Sequence, residues 1–321
     1  MIPIKAAVLG AAVAFCAAGA AHAAYPDHAV KIVVPQAPGG ASDALARLIA
    51  QKLGEAWGQP VVVENRAGAG GNIGLESVAR STGDGYTLLM SYEGTQAINV
   101  SLYKGVTYDP VGDFEPVATV ATVPFLLAVN NTVKATDFKA FVAAAKADGK
   151  MTFGSAGNGT VNHLLGEMLN MVTGTKLTHV PYRGAGPALT DLMGGSIDSV
   201  FSSAPSIAQQ VDAGKVRALA ITSAKRSERF PDLPTIAESG YPTFDVNPWF
   251  GLFAPKGTPR DVVQKISTDV GRLLEDPAFV ASLAAQGATP MKRTPDQFKT
   301  ILIDDIKKWA VVVKESGAVA N

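Results

Sequence analysis

The feature that most constrains the fold is an alternation of short apolar runs with segments of helical periodicity along nearly the whole chain. The run Val30 to Val34 is β-branched and predicts a buried strand, and Leu45, Leu48 and Leu53 then recur at helical spacing. Further strand candidates, with helical segments between most of them, lie at residues 61–63, 85–90, 116–123, 125–129, 151–153, 176–180, 197–201 and 216–222. This βαβ order predicts parallel, doubly wound sheets covered by helices on both faces.

The last part of the chain changes character. Residues 259–274, 277–286 and 295–316 have helical patterns and predict a helical cap that returns to the first half of the chain. Trp249 and Phe250 precede this cap, and we expect them to be core side chains, with a position near a hinge as the alternative.

The first 23 residues have the pattern of a secretory signal peptide. Lys5 is followed by an apolar, alanine-rich stretch over residues 6–20 and then by Ala21-His22-Ala23, a small-x-small cleavage signature. A transmembrane anchor is the alternative, but the apolar run is short for a span of ~20 residues and no second charged flank follows it. We therefore expect cleavage after Ala23 and a periplasmic location.

Cysteine usage and charge exclude several classes of protein. Cys16, the single cysteine, lies inside the predicted leader, and the bulky Phe15 before it is atypical of a lipoprotein signal. The mature chain therefore contains no disulfide, thiol nucleophile or thiolate metal site. Lysine plus arginine equal aspartate plus glutamate at 28 each, with no basic run, which argues against a nucleic-acid partner. The length is sufficient for two domains.

Two glycine-rich junctions between a strand and a helix are the candidate binding elements. In the first, residues 34–43, two prolines stiffen the chain and Gly39 and Gly40 leave the backbone open to a ligand. Ser42 or Asp43 is placed to cap the following helix. Unpaired backbone N–H groups at the positive end of a helix bind anions, so this junction predicts an anion site.

The second junction, Ser155 to Thr160, repeats this chemistry. Ser155 and Thr160 offer hydroxyl groups, Asn158 offers an amide, and a helix follows. If the two junctions face each other across a cleft, they can hold the ends of one small anion.

Other kinds of site fit the sequence less well. The glycine run at 68–74 has Ile73 where a dinucleotide-binding fingerprint needs its third glycine, so we interpret it as a tight loop. No Gly-x-Ser-x-Gly elbow exists, and the histidines that remain after processing lack metal-ligand spacing. We therefore expect no catalytic residue, no cofactor and no metal.

His163 is more typical of a cap or packing residue than of a base, and Arg183 is a candidate clamp on a carboxylate.

A set of ordered motifs spans essentially the whole mature chain. The motifs lie at residues 34–43, 63–74, 84–89, 155–160 together with His163, 179–184, 187–192, 231–235 and 254–259. With them the chain resembles the extracytoplasmic solute receptors of the tripartite tricarboxylate transporter family, also called Bug receptors.

This resemblance implies a two-domain α/β periplasmic binding protein of the Venus-flytrap, type II-like kind, with its ligand cleft between the domains. Residues 25–126 plus 246–321 would form one domain and residues 127–245 the other. The implied function is capture of a small carboxylate, whether a dicarboxylate, a tricarboxylate, an acidic amino acid or an aromatic acid. The implied partner is the permease of a tripartite tricarboxylate-type transporter, and we expect a non-catalytic monomer.

The resemblance also implies the ligand-binding positions. They are Gly39, Gly40, Ser42 and Asp43 from one side, Ser155, Asn158, Gly159, Thr160 and His163 from the other, and Tyr92, Thr95 and Arg183 near the far end of the ligand. Position 36 commonly carries phenylalanine in this family, but here it is Gln36. A buried amide needs a polar partner, so Gln36 predicts a ligand with a second polar group in preference to a plain aromatic acid.

Two other functions remain open at this point. An exported enzyme acting on the same anion would need a site base, for which His163 is the candidate. A sensor would pass its signal to a partner receptor instead of a transporter, and the sequence does not separate this function from transport.

Overall fold

The structure is a computed structural model that describes residues 25–316, so the predicted signal peptide and its cleavage site lie outside the described residues. Over this range the strands are β1 (Val30–Val34), β2 (Val61–Asn65), β3 (Thr87–Tyr92), β4 (Phe114–Thr122), β5 (Phe125–Val129), β6 (Thr152–Ser155), β7 (Thr178–Pro181), β8 (Ser199–Ser203), β9 (Arg217–Ile221), β10 (Trp249–Pro255) and β11 (Thr289–Pro290). They form two sheets, with the orders β11-β4-β10-β3-β1-β2 and β7-β6-β8-β5-β9.

Helices alternate with these strands and then dominate the C-terminal part. They are α1 (Ala41–Trp57), α2 (Asn72–Ala79), α3 (Asn99–Leu102), α4 (Phe138–Asp148), α5 (Val161–Thr173), α6 (Ala185–Gly194), α7 (Ala204–Asp212), α8 (Arg260–Leu273), α9 (Pro277–Ala285) and α10 (Pro295–Ser316). A 3₁₀ turn at Ala69–Gly71 precedes α2, and a π-helical turn at Gly94–Ile98 precedes α3. The three predicted C-terminal helices are confirmed.

Both sheets contain antiparallel as well as parallel pairs, so the prediction of parallel sheets was wrong for several of the strands. β1, β2 and β3 run parallel, whereas β10 is antiparallel to its neighbours β3 and β4. In the second sheet β6 is parallel to β7 and β8, whereas β5 is antiparallel to β8 and β9. Two of the strands that reverse direction, β5 and β10, begin where the chain has just passed from one sheet to the other. The short edge strand β11 also runs antiparallel to its neighbour β4.

We call the first sheet with α1–α3 and α8–α10 the first lobe, and the second sheet with α4–α7 the second lobe. The chain crosses between the lobes at residues 123–124 and 247–248, and the two crossings are joined by a hydrogen bond of 3.0 Å from Val123 N–H to the Pro248 carbonyl. The predicted domain boundary after residue 126 falls inside β5, which pairs wholly within the second sheet.

Apolar side chains at the predicted spacing form the core. Leu45, Ile49 and Leu53 on α1 have no exposed surface, and each such side chain contributes about 1.5–3 kcal/mol by its burial. Trp249 and Phe250 at the start of β10 are also buried, as predicted, and they lie beside the second crossing. The apolar core therefore continues up to the second crossing between the lobes.

Candidate ligand site between the lobes

A cavity of about 750 Å³ lies between the lobes. Both lobes contribute to its wall: the lining residues are Pro35 to Pro38, Gly40 to Ser42, Ala67 to Gly71, Tyr92, Tyr103, Phe125, Ala156 to Asn158, Thr160, Asn162, Tyr182 to Ala185, Ser203, Ser206 and Phe250. This volume is in the range of small-molecule sites in proteins.

The amino ends of four helices point at this cavity. α1, α5, α6 and α7 follow the cap residues Gly40, Thr160, Gly184 and Ser203, and all four caps line the cavity. The first N–H groups of a helix have no partner inside the helix and carry a partial positive charge. The helix ends therefore make the cavity favourable for an anion.

Among the described residues that line the cavity, one side chain is charged. It is the cation Arg183, and none of these residues is a carboxylate. Arg183 is exposed and makes no hydrogen bond or ion pair with another described residue. Its guanidinium group is therefore available to a bound anion.

The first glycine-rich loop is organised by Asp43. Helix α1 begins at Ala41 after Gly40, so the predicted cap at Ser42 or Asp43 was wrong. The Asp43 carboxylate instead reaches back and accepts the Gly39 N–H at 3.1 Å. Gly39 has φ of +86°, a conformation that favours glycine.

Two further side chains donate to this carboxylate. Arg47 donates at 2.9 Å and Asn65 at 3.0 Å. Burial alone would raise the pKa of Asp43, but the hydrogen bonds from Arg47, Gly39 and Asn65 hold it below its ordinary value. Asp43 is therefore an ionised organiser of the loop, and it and Gly39 do not line the cavity. Ser42 does: its side chain is buried, and its hydroxyl has no partner among the described residues.

Gln36 and Thr95 form a pair beside this loop. Gln36 lines the cavity and donates its amide N–H to the Thr95 hydroxyl at 3.2 Å, while its amide oxygen is buried without a partner in the described chain. Thr95 is fully buried behind Gln36 and does not reach the cavity.

The second glycine-rich loop rests on a stack of histidines. The rings of His163 and His179 stack at 3.9 Å between centroids, and His163 Nδ1 accepts the Gly159 N–H at 2.9 Å. The Ser155 hydroxyl donates to the Gly157 carbonyl and contacts His179 Nε2 at 2.6 Å. Burial lowers the pKa of His179 to about 4, and nearby His163 adds to this effect, so His179 is neutral at neutral pH.

This arrangement gives the second-loop residues different places. Ser155 and Gly159 in the loop and His163 on α5 do not line the cavity, so the Ser155–His179 contact supports the loop and faces no ligand space. Asn158 and Thr160 line the cavity, although the Thr160 hydroxyl donates to the Gly157 carbonyl at 2.8 Å.

The sequence interpretation missed part of the wall. Ser203 and Ser206, whose hydroxyls are 2.7 Å apart, line the cavity at the start of α7. They lie at a strand–helix junction without glycines, so a search for glycine-rich loops did not find them. The predicted site residue Tyr92 lines the cavity, and Phe250, which was expected only as a core or hinge residue, stacks on it there at 5.2 Å between ring centroids.

The lobes contact each other across the cleft at two tyrosines of the first lobe. The Tyr103 hydroxyl donates to the Asn158 carbonyl at 2.8 Å, and the Tyr92 hydroxyl lies close to the backbone of Val161. Burial is the main cause that raises the pKa of Tyr92, so this phenol is un-ionised. The structure therefore shows the lobes closed over the cavity.

Neither a metal site nor a membrane span is found in the described part of the chain. Residues 25–316 contain no cluster of three or more histidine, cysteine, aspartate or glutamate side chains able to hold a metal ion. Over the same range no helix is both long enough and apolar enough to cross a membrane.

Comparison with known proteins identifies the family to which this architecture belongs. The family model of the tripartite tricarboxylate transporter family receptor matches residues 45–318. The chain belongs to this receptor family. The resemblance carried by the sequence motifs is therefore confirmed.

Relatives of this receptor support the same assignment. Protein BugT of Bordetella pertussis is 42% identical over 296 residues, which cover 92% of this chain and 91% of BugT. The structure of R. palustris Rpa4515 with adipate has a TM-score of 0.89 at 36% identity and covers 92% of this chain and 99% of that one. MatC from Rhodopseudomonas palustris with bound malate has a TM-score of 0.84 at 34% identity, covering 90% of this chain and all of the other. The predicted α/β periplasmic-binding-protein fold is confirmed.

Proposed function

We propose that this receptor binds a small dicarboxylate in the cavity between its lobes, without chemical turnover, and delivers it to the permease of a tripartite tricarboxylate-type transporter. The observation that carries the proposal is the convergence of four helix amino ends and Arg183 on a cavity whose described lining contains no carboxylate. Export, a periplasmic location, cleavage after Ala23 and a monomeric state are parts of the same proposal.

The cavity offers two places for a carboxylate. One is the first turn of α1, where backbone N–H groups and the Ser42 hydroxyl are available. The other is Arg183 with the amino ends of α6 and α7. Tyr92 and Phe250 provide apolar surface for the carbon chain between them. The adipate and malate in the two related structures each carry two carboxylates, which supports this assignment.

Gln36 adds a preference for a polar substituent. Its amide oxygen has no partner among the described residues, and an unpaired buried acceptor is unfavourable. A ligand with a second polar group near Gln36 would relieve this cost once the amide turns toward the cavity.

The contacts are sufficient for useful affinity. Micromolar binding requires ~8 kcal/mol, and hydrogen bonds to a charged group contribute ~1.5–3 kcal/mol each before the costs of association. Turnover is not part of the proposal because the described lining has no histidine, acid, cysteine or lysine to act as a base or nucleophile.

A thermal-shift screen tests the proposal. The processed chain, residues 24–321, is mixed with mono-, di- and tricarboxylates, with amines and sugars as controls. A ligand that binds the folded state raises the melting temperature by mass action, so dicarboxylates should give the largest shifts. Chemical analysis of the mixture should recover the dicarboxylate unchanged. Shifts with none of the carboxylates would refute the proposal.

A further inference from the structure

Tyr103 connects the two lobes at the edge of the cavity. It follows α3 in the first lobe, and its phenol donates a hydrogen bond of 2.8 Å to the carbonyl of Asn158 in the second glycine-rich loop. Because the partners belong to different lobes, this bond exists only while the lobes are closed.

Residues of the first lobe lie directly against the phenol. Gly70 lies under the Tyr103 hydroxyl with φ of +63°, and a Cβ atom at Gly70 would overlap the hydroxyl oxygen. The Gly70 carbonyl in turn accepts a hydrogen bond of 3.1 Å from the buried Asn99 side chain. The phenol therefore packs directly on the first-lobe backbone, and this contact does not involve the second lobe.

The chemistry of the bond also suits a permanent role. Burial raises the pKa of Tyr103, so its hydroxyl keeps its proton at neutral pH. The acceptor is a backbone carbonyl, which no substitution of the Asn158 side chain removes. Neither partner carries a charge, so the bond does not depend on the charge of the bound ligand.

We propose that Tyr103 is a positioning residue, a latch that holds the second glycine-rich loop against the first lobe and so slows the release of ligand. A bond made only in the closed state multiplies the ratio of closed to open protein by a constant factor. The apparent affinity for a ligand that needs the closed state then rises by that factor as long as the free protein is mostly open. The ligand-dependent part of this inference rests on the proposed function.

The test compares Tyr103→Phe with Tyr108→Phe. Tyr108 is a matched control because its hydroxyl donates a bond of equal length, 2.8 Å, to the Asn72 side chain within the first lobe. Loss of a neutral hydrogen bond corresponds to about a 2- to 10-fold change in an equilibrium constant. Stopped-flow measurements with adipate and with malate should therefore show release from Tyr103→Phe accelerated by about this factor. Association rates should be unchanged, as should release from Tyr108→Phe.

A second readout does not require a ligand. The processed chain contains no cysteine, so dyes can be attached at Ala56→Cys on α1 and Lys146→Cys on α4, both exposed positions in different lobes. Single-molecule energy transfer between the dyes then gives the ratio of closed to open molecules, with and without adipate or malate. Tyr103→Phe should lower this ratio by the same factor, and Tyr108→Phe should not.

Each remaining outcome is decisive. Equal closed-to-open ratios and release rates in Tyr103→Phe and the parent protein would overturn the latch. A factor that differs between adipate and malate would also overturn it, because it would indicate direct contact with the ligand. If adipate, malate and all other carboxylates fail to bind the parent protein, the proposed function fails. The comparison of closed-to-open ratios without ligand still shows whether Tyr103 acts as a latch.

Discussion

Glu93 and Asp305 form a pair of carboxyl groups near the second crossing between the lobes. The protein should lose stability as the pH rises and Glu93 ionises, and Glu93→Gln should abolish this loss. The indole N–H of Trp309 donates to Glu93, and that of Trp249 donates to Asp305 at 2.7 Å. The backbone of Trp249 also lies close enough to Glu93 to lower its pKa slightly. Through these bonds the carboxyl pair connects α10 to β10, the strand that follows the second crossing.

The direction and size of the effect follow from the Glu93 pKa. Burial, with the neighbouring Asp305 adding to it, raises this pKa from 4.5 to about 7, against the opposing effects of Trp309 and Lys308. The folded protein thus holds the proton more tightly than the unfolded chain does. The resulting stabilisation is complete below pH 4.5 and is lost as the pH rises through about 7. A tenfold change in proton affinity is worth ~1.4 kcal/mol, so the whole effect is on the order of 3 kcal/mol.

Urea unfolding between pH 4.5 and 9 measures this dependence. The parent protein should lose a free energy of unfolding on the order of 3 kcal/mol from this group over the range. Glu93→Gln keeps an acceptor for the Trp309 indole N–H without the charge, so its profile should be flatter and its stability at pH 8 higher. Glu228→Gln, at an exposed position, is the charge control and should follow the parent profile. Parallel profiles for the parent protein and Glu93→Gln would refute the reasoning.

Three further substitutions test the site and the hinge. Ser42→Ala removes an unpartnered hydroxyl from the cavity wall and should weaken carboxylate binding by about 10-fold or more in calorimetry, while the melting temperature of the free protein stays nearly unchanged. An equal loss of stability would instead make Ser42 structural. Arg183→Gln should weaken a dicarboxylate by at least about 10-fold and the matching monocarboxylate less, and equal losses would contradict its role as a clamp. Trp249→Phe leaves Asp305 without its indole donor and should reduce the free energy of unfolding by about 1–3 kcal/mol, with an unchanged value in urea unfolding counting against the bond.

Much of the fold was predictable because apolar periodicity is set by local burial. The strand at Val30–Val34, helix α1 and the three C-terminal helices all follow from that pattern. The direction of each strand does not follow from the apolar pattern, because it depends on how the chain passes between the sheets. Only Val123 and Pro124 separate β4 from β5, and this short link carries the chain into the other lobe, where β5 runs against its neighbours. The strand β10 also runs antiparallel to its neighbours β3 and β4, although a much longer segment, residues 222–248, precedes it.

The site was predictable to the level of its loops and no further. Glycines, prolines and hydroxyl residues marked the two loops at the cavity, because these residue types are what a backbone anion site needs. Which side chains face the ligand is decided by long-range contacts. Asp43 is turned toward Asn65, and Ser155 toward His179, each a partner far along the chain. Ser203 comes to the cavity only because the second sheet brings β8 beside β6.

The most direct test of the central claim is a crystal structure of the processed protein with the dicarboxylate that gives the largest thermal shift. We expect one carboxylate within hydrogen-bond distance of the first turn of α1 and Ser42. We expect the other at Arg183 or the amino ends of α6 and α7. A dicarboxylate bound in the cavity with neither carboxylate at these helix ends, or bound outside the cavity, would contradict this claim.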